Sequence, residues 1–161
     1  MAQAARGRIA RIARHARPRA PIEVIEAADV TMAEGIRGDH RGDHRGARRP
    51  GGSGKRQITL IEADNWAAAI AEVGHSIPWH ERRCNLLVTG LDLPQRPGTR
   101  RAIGPSVILE VTRATDPCEC MEALAPGLCA ALTPDWRGGA CARVITGGRI
   151  VIGDSIEVEE A

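Results

Sequence analysis

Apolar and polar residues alternate along several short stretches of the chain, and each stretch predicts a β-strand. Residues 22–26 alternate as a half-buried strand does, and residues 56–61 and 107–112 predict two more strands. Residues 85–88 form a continuous apolar run after Asn85, which predicts a strand buried on both faces. The arginine-rich N-terminus has no apolar core of a secretory signal, and it is predicted to be the first strand.

Helical spacing occurs in two places. Trp66, Ile70 and Val73 lie on one face of a helix predicted over residues 64–73, and Gly74 is a natural end for it. A second helical stretch is predicted over residues 119–132, with a break at the Pro-Gly pair inside it.

The C-terminal part has the clearest turn pattern in the chain. Residues 142–146 and 149–152 flank Gly147 and Gly148, which predicts a hairpin closed by a tight turn. A last strand is predicted over residues 155–158. Many short strands separated by glycine turns, with few helices, predict a mainly β fold of the barrel or sandwich type.

Composition limits both the size and the chemistry of the protein. The 161 residues, 43% of them hydrophobic, suffice for one domain, and the core must be aliphatic because the chain has three Trp and no Phe or Tyr. The net charge is only +2, but residues 1–56 hold 13 basic against 6 acidic residues. Such asymmetry can indicate an anionic partner, whereas the shortage of aromatic residues disfavours base stacking on nucleic acid.

Cysteine usage and hydropathy point to one compartment. No apolar run approaches the roughly 18 residues needed to cross a bilayer, so no membrane association is expected. The five cysteines are odd in number and come with no export signal. Reduced thiols, and therefore a cytoplasmic location, are expected.

Cys118 is the main candidate for chemistry. It follows a Pro and precedes the second helical stretch. A thiolate at a helix N-terminus is stabilised by unpaired N–H groups, which can lower its pKa from about 8.5 to about 7 or below. Such a thiolate suits a persulfide carrier or a metal ligand, and the alternative is a buried, inert cysteine.

The other cysteines and the histidines give weaker indications. Cys120 forms a Cys-X-Cys pair with Cys118, but zinc sites usually have Cys-X2-4-Cys pairs. Cys84, Cys129 and Cys141 have apolar neighbours and are predicted to lie in the core. His40 and His44 belong to a tandem Gly-Asp-His duplication that is rich in glycine, so they are expected in a solvated loop.

A glycine-rich segment precedes Lys55 but lacks the spacing of a phosphate-binding loop. No glycine stands five residues before the Gly-Lys pair, and Arg56 occupies the place of the required Ser or Thr. This loop could bring Lys55 and Arg56 to an anion such as a pterin phosphate, or it could be a flexible solvated turn.

The order of these motifs resembles the MOSC family, which is named after the C-terminal domain of molybdenum-cofactor sulfurases. The resemblance covers about residues 7–158. It rests on these segments in this order: Gly38-Asp39-His40, Lys55-Arg56-Gln57-Ile58-Thr59, Arg82-Arg83-Cys84-Asn85, Pro117-Cys118, Pro126-Gly127-Leu128, Ala142-Arg143-Val144, Gly147-Gly148-Arg149 and Gly153-Asp154.

This resemblance implies a MOSC-type β-barrel with a few short helices, formed by a single domain over residues 1–161 with a mobile loop at about 37–54. It implies that Cys118 is the family's invariant cysteine, a persulfide carrier or a molybdenum ligand. The pocket beside it would bind molybdenum cofactor (molybdopterin). The pocket residues would be Lys55, Arg56, Gln57, Arg83, Asn85 and Arg143.

Larger relatives fuse this domain to a pyridoxal-phosphate cysteine desulfurase or to electron-transfer domains, so either could act here as a separate partner. The chain departs from the family pattern at three points. The Gly-Asp-His unit is duplicated, Thr115 stands where a second cysteine is frequent, and Cys120 replaces a residue that is often basic. The thiol of Cys120 could resolve a persulfide on Cys118.

Three functions remain open at this point. The first is sulfur or cofactor handling by Cys118, as in a molybdenum-cofactor sulfur transferase. The second is a molybdenum-dependent reductase of N-hydroxylated compounds with a separate electron donor, which would hold about one molybdenum per chain. The third is a basic module that binds nucleic acid or another anion without catalysis.

Overall fold

A computed structural model describes residues 6–17, 20–39, 56–90, 95–115, 117 and 119–159. The described residues form strands and short helices in the following order: β1 (Arg6–Arg14), β2 (Glu23–Ile25), β3 (Ala27–Thr31), β4 (Gly35–Ile36), β5 (Ile58–Glu62), α1 (Ala63–Val73), β6 (Leu86–Thr89), β7 (Arg100–Ile103), β8 (Val107–Ala114), α2 (Glu119–Leu124), α3 (Leu128–Leu132), β9 (Ala140–Thr146), β10 (Gly148–Val151) and β11 (Ser155–Glu159).

Seven strands close into a barrel. Their order is β1-β6-β5-β9-β8-β7-β11, and β11 pairs with β1 to complete the ring. The pairing of β5 with β6 is parallel and the other six contacts are antiparallel. β2 extends β1 at its end, and β10, β3 and β4 form a small second sheet. The predicted mainly β barrel with short helices is confirmed.

The barrel interior is aliphatic, as the composition predicts. Alternate residues of each strand point inward, so that Ile58 and Leu60 of β5 and Ala142 and Val144 of β9 face the same core. The remaining buried members are Ile9, Ile12, Ala28, Val30, Ile36, Leu86, Val88, Ile103, Val107, Leu109, Ile150 and Ile156.

Helix α1 packs on the outside of β5. Trp66 and Ala69 are buried there, and Ile70 and Val73 are partly buried in the same outer cluster. The helix ends where predicted, because Gly74 takes a left-handed conformation with φ of 72° and its N–H bonds to carbonyls of the last turn. None of the helices in the described ranges is long and apolar enough to span a membrane.

The predicted C-terminal hairpin is wrong. Both strands exist, but β9 pairs with β8 and β5 whereas β10 pairs with β3. A Cβ at Gly147 would lie 2.5 Å from the Val30 carbonyl oxygen. Glycine is therefore needed here because the backbone passes close to Val30 between β9 and β10, and not because it forms a tight hairpin turn.

Two predicted strands differ in detail from the structure. The strand predicted over residues 22–26 is shorter in the structure, where β2 ends at Ile25 and a separate strand, β3, begins after Glu26. In the strand predicted to be buried on both faces, Leu86 and Val88 are core residues, but Leu87 is only half-buried toward the outer cluster.

Candidate functional site

The chain leaves the barrel after β8 and returns at β9, and this excursion carries the cysteine that is predicted to be reactive. It runs over residues 115–139 and contains α2 and α3. Cys118 and Lys55, two of the predicted site residues, lie outside the residues that the structure describes. The described residues next to position 118 in the sequence are Pro117 and Glu119.

A buried guanidinium joins the two ends of the excursion. Arg82 is 5% exposed, and its Nε donates to the Gly138 carbonyl while its Nη2 donates to the Thr115 carbonyl, both at 3.1 Å. Both acceptors are neutral, and no carboxylate of the described residues forms an ion pair with Arg82. The result is a clamp whose positive charge has no carboxylate partner among the residues that the structure describes.

Glycine at position 138 allows this clamp to form. A Cβ there would lie 2.7 Å from the Thr115 carbonyl oxygen and 3.2 Å from Nη2 of Arg82. The excursion is fixed a second time at Thr115, whose N–H donates to the Gly139 carbonyl at 2.9 Å. Its Oγ1 lies 3.3 Å from Sγ of Cys141 in the barrel wall.

The two adjacent arginines Arg82 and Arg83 have different partners. Residues Trp79–Arg82 form a 3-10 turn, and Arg83 follows it in the left-handed region with φ of 65°. This reversal sends the two side chains to different places. Arg83 is half-buried, and its Nη2 donates to the Ala20 carbonyl at 2.9 Å, whereas Arg82 reaches the excursion.

An open depression of about 750 Å³ lies beside Pro117. Its described lining also includes Glu119, Cys120, Glu122 and Cys129. Cys120 is exposed and Cys129 is half-buried, with its Sγ donating to the Pro117 carbonyl at 3.7 Å. The prediction that Cys129 lies in the core is wrong, because the residue sits at the start of a short helix facing this depression.

The carboxylate of Glu122 is already used within the excursion. It accepts from the backbone N–H groups of Gly127 and Cys129 at 2.9 and 3.2 Å, and it thereby caps the first turn of α3. Glu119 has no such bond and stands beside it in the first turn of α2. The described lining is therefore acidic and contains thiols.

Two thiols lie beneath the excursion in the barrel wall, as predicted. Cys84 and Cys141 are both buried. Burial raises the pKa of the Cys84 thiol, and the nearby charge of Arg82 acts in the opposite direction. Cys84 is therefore a neutral packing group at physiological pH.

The predicted amide residues are bonded to the protein itself. Gln57 donates to the Met32 carbonyl at 2.7 Å and accepts from the Val144 N–H at 2.9 Å. Asn85 accepts from both the N–H and the hydroxyl of Thr59 and donates to the Ala13 carbonyl. Both side chains are buried, and their polar atoms link neighbouring strands.

Two predicted arginines have a different character. Arg56 and Arg143 are half-buried, and neither forms a hydrogen bond or an ion pair with the described residues. In each case the buried Nε has no hydrogen-bond partner. Their guanidinium groups are therefore available to an anion, since Arg stays charged at any physiological pH.

The Gly38-Asp39 element anchors the chain to the end of β1. Asp39 is buried, and its Oδ1 accepts from the backbone N–H of His15 at 3.1 Å. Arg14 donates to the Arg37 carbonyl at 2.7 Å beside it. The duplicated stretch that follows, with His40 and His44 and most of the predicted mobile loop, lies outside the described residues.

The described parts of the chain contain no cluster of three or more His, Cys, Asp or Glu side chains arranged to hold a metal ion.

A closed seven-stranded barrel with a helical excursion between β8 and β9 defines the chain as a mainly β barrel domain. The MOSC domain family matches residues 39–157, so the chain belongs to this family. No curated protein matches it in sequence.

Solved structures share the fold. The YuaD protein from Bacillus subtilis superposes with a TM-score of 0.79 at 21% identity over 100% of both chains. YiiM from Geobacillus stearothermophilus gives a TM-score of 0.65 at 15% identity, covering 96% of this chain and 75% of its own. YiiM from Escherichia coli gives 0.68 at 13% identity, with 96% and 70% covered.

Two residues of the site were missed by the sequence interpretation. The sequence shows Arg82 only as the first of two adjacent arginines, and the left-handed conformation of Arg83 is what separates their roles. Gly138 was overlooked inside a Gly-Gly pair. Two adjacent glycines just before a predicted strand are a signal for close backbone approach, and here that approach forms the clamp.

Proposed function

We propose that this MOSC-domain protein handles sulfur, with Cys118 as the residue that carries it as a persulfide. The observation that supports this role most directly is the open depression at Pro117, the residue bonded to Cys118. Cys84 and Cys141 are buried in the barrel wall, out of reach of a donor. A sulfur carrier needs an accessible thiol, and an open surface at Pro117, the sequence neighbour of Cys118, supports this requirement.

The chemistry is a sulfur transfer between thiols. The Cys118 thiolate attacks the terminal sulfur of a persulfide on a donor protein, forming a new S–S bond. The S–S bond of the donor breaks, and its electron pair leaves with the donor sulfur as a thiolate. The terminal sulfur keeps its proton as it moves to Cys118, so atoms and charge balance.

A cysteine desulfurase is the class of partner that supplies such a persulfide. The proposed role also requires reduced thiols, which fits a cytoplasmic location. The described cysteines Cys84, Cys120, Cys129 and Cys141 form no disulfide with one another.

Intact mass spectrometry tests this proposal. The protein is incubated with a persulfide donor and measured before and after mild reduction. We expect a reducible gain of one sulfur atom in the parent and in the matched Cys120→Ser variant, and no gain in Cys118→Ser. Equal sulfur uptake by Cys118→Ser would contradict the role of Cys118.

Binding of molybdenum cofactor is a second candidate, favoured by the available guanidinium groups. Arg56 and Arg143 fit the anionic phosphate of the pterin, and Lys55 and Arg83 would add charge-assisted hydrogen bonds. When bound, the cofactor would supply oxygen-atom transfer chemistry, as a reductase requires, with the Cys118 thiolate as a metal ligand. Gln57 and Asn85 would support the pocket by holding β5, β6 and β9 together.

Metal analysis separates this candidate from a simple carrier. Protein produced in a cofactor-competent host would contain about one molybdenum per chain if the reductase role holds. We expect loss of the metal in an Arg56→Gln, Arg143→Gln double variant and not in Arg149→Gln, which removes an exposed arginine paired with Asp29. Metal-free parent protein would rule out the reductase role.

A further inference from the structure

We infer that Glu110 controls the anion site at Arg143: its carboxylate competes with a bound anion for this arginine, and Arg100 keeps the site open by attracting Glu110 from the other side. The inference rests on the proposed binding of an anionic phosphate by Arg143. Glu110 carries the same sign of charge as the ligand, so its effect on binding is opposite to that of Arg143.

Three charged side chains form a row across neighbouring strands of the barrel. Arg100 of β7 pairs in register with Glu110 of β8, and Glu110 pairs in register with Arg143 of β9. Leu109 and Ala142, which precede Glu110 and Arg143 in their strands, belong to the barrel core. Because successive side chains of a strand point to opposite faces, the row lies on the outer face. Glu110 therefore has an arginine as its direct neighbour on each side.

Glu110 forms an ion pair with one of these two arginines. Its Oε2 lies 3.9 Å from Nη2 of Arg100, whereas Arg143 has no ion pair with the residues that the structure describes. The separation is longer than a hydrogen bond, and the side chains of Arg100 and Glu110 are 43% and 29% exposed. An ion pair of this kind contributes little free energy, so Glu110 can change its partner at small cost.

The other neighbour of Arg143 in the barrel wall is an amide whose polar atoms are already bonded. Ile58 of β5 lies opposite Ala142, and this register places Gln57 beside Arg143. Both polar atoms of the Gln57 side chain bond to backbone groups. The buried Nε of Arg143 has no hydrogen-bond partner. Glu110 is therefore the carboxylate that the strand register places next to this guanidinium.

The geometry of β8 allows Glu110 to pair with either arginine. The register with β9 shifts between Ile108 and Leu109, and it shifts again between Val111 and Arg113. Bulges of this kind increase the twist of a strand and redirect its side chains. Directly opposed side chains of an antiparallel pair have Cβ atoms about 5 Å apart. A rotation of the Glu110 side chain is therefore sufficient to bring its carboxylate to Arg143, without movement of the backbone.

A bound anion and the Glu110 carboxylate exclude each other at Arg143, because two negative charges at one guanidinium repel each other. The pair with Arg100 stabilises the arrangement in which Arg143 is available. Loss of Arg100 leaves Arg143 as the only cation beside Glu110 in this row, and it shifts the population toward the closed arrangement. Loss of the Glu110 charge removes the competitor.

Isothermal titration calorimetry with inorganic pyrophosphate measures this competition through a double-mutant cycle. Glu110→Gln should raise the affinity about threefold, and Arg100→Gln should lower it about threefold to fivefold, the range that one partly exposed cross-strand ion pair supports. In the Glu110→Gln background, Arg100→Gln should change the affinity less than about twofold, because only a screened long-range charge is lost. Arg100→Lys keeps the charge and should retain the affinity of the parent.

Arg149→Gln is the matched control. Arg149 of β10 lies opposite Asp29 of β3 and binds it at 3.1 Å, so its replacement removes the same charge from another cross-strand pair. We expect the affinity of the parent in this variant. Arg143→Gln identifies the binding site and should lower the affinity about tenfold or more, because a charge-assisted hydrogen bond is lost.

Two results would overturn the inference while the anion site itself stands. One is binding that depends on Arg143 but is not strengthened by Glu110→Gln. The other is an Arg100→Gln variant that binds more weakly than its background by the same factor with and without Glu110. A parent protein that binds no pyrophosphate, or binds it equally well after Arg143→Gln, contradicts the proposed anion site and the control by Glu110 together.

Discussion

Successive residues of strands β5 and β9 point alternately to the inner and the outer face of the barrel, and the two faces carry different kinds of side chain. Inward, Ile58 and Ala142 join a core of aliphatic side chains. Outward, Thr59 and Cys141 belong to a layer of hydroxyl, thiol and amide groups beneath the excursion. The two-residue period of a strand thus separates an aliphatic face from a polar face that lies against the excursion. Substitutions on the two faces should therefore have separable effects.

The largest effect on stability is expected inside the barrel. Leu109→Ala removes a fully buried side chain of β8 and leaves a cavity, which should lower the free energy of unfolding by about 3–4 kcal/mol. Urea denaturation measures this loss. Leu109→Met is the control and should cost less than about 1.5 kcal/mol. Below the unfolding transition, the alkylation rate of Cys118 should not change; a change would show that the faces are coupled.

A somewhat smaller loss is expected in the polar layer. Asn85→Leu leaves the buried Thr59 N–H and the Ala13 carbonyl without their partner, which should cost about 2–3 kcal/mol. Thr89→Val, at the exposed end of the strand β6 that follows Asn85, should stay within about 0.5 kcal/mol of the parent. Equal stability of Asn85→Leu and the parent would mean that water replaces the amide.

Gly138→Ala should change both the stability of the protein and the alkylation rate of Cys118. The new methyl group would collide with the Thr115 carbonyl, so we expect a loss of about 2 kcal/mol together with slower alkylation of Cys118. Gly98→Ala provides the comparison, since Gly98 has a left-handed φ of 88° and open space around it. It should lose about 1 kcal/mol through backbone strain alone. If folded Gly138→Ala is alkylated at the rate of the parent, the Arg82 clamp does not influence the reactivity of Cys118.

The smallest effect appears only at alkaline pH. Because burial raises the pKa of Cys84 above its ordinary 9.0, the folded protein keeps the proton at pH values where the unfolded chain has lost it. The contribution of the Cys84 thiol to stability is therefore fully present below pH 9.0, and it is lost as the pH rises from there toward the folded pKa. Denaturation curves of the parent should show a steeper alkaline loss than those of Cys84→Ala, and parallel losses would contradict this origin.

Local patterns predict local structure well in this chain. The positions of α1 and β8 followed from side-chain periodicity, because each of them exposes one face and buries the other. The pairing of β9 did not follow, because a Gly-Gly pair between two strands fits both a hairpin and a crossing point. Only the distant Val30 carbonyl decides between them.

The site was harder to predict than the fold for the same reason. Arg82 and Arg83 are neighbours of identical type, and their roles diverge because Arg83 is left-handed. The partners of Arg82 lie 33 and 56 positions away, and that of Arg83 lies 63 positions away. Cys129 has the apolar neighbours of a core residue, but Leu128, Ala131 and Leu132 take the buried face of its helix. Nonlocal contacts, which a single sequence does not display, define both cases.

The pairing of β1 with β11 has a consequence for how the protein folds. Arg6 and Glu157 are ion-paired across the closing seam although 151 positions separate them. Ring closure must therefore overcome a large loop entropy, which predicts slow folding with high contact order. During synthesis, β1 cannot pair with β11 until β11 has left the ribosome. Until then β1 and β7 each expose an unpaired strand edge, through which chains can aggregate.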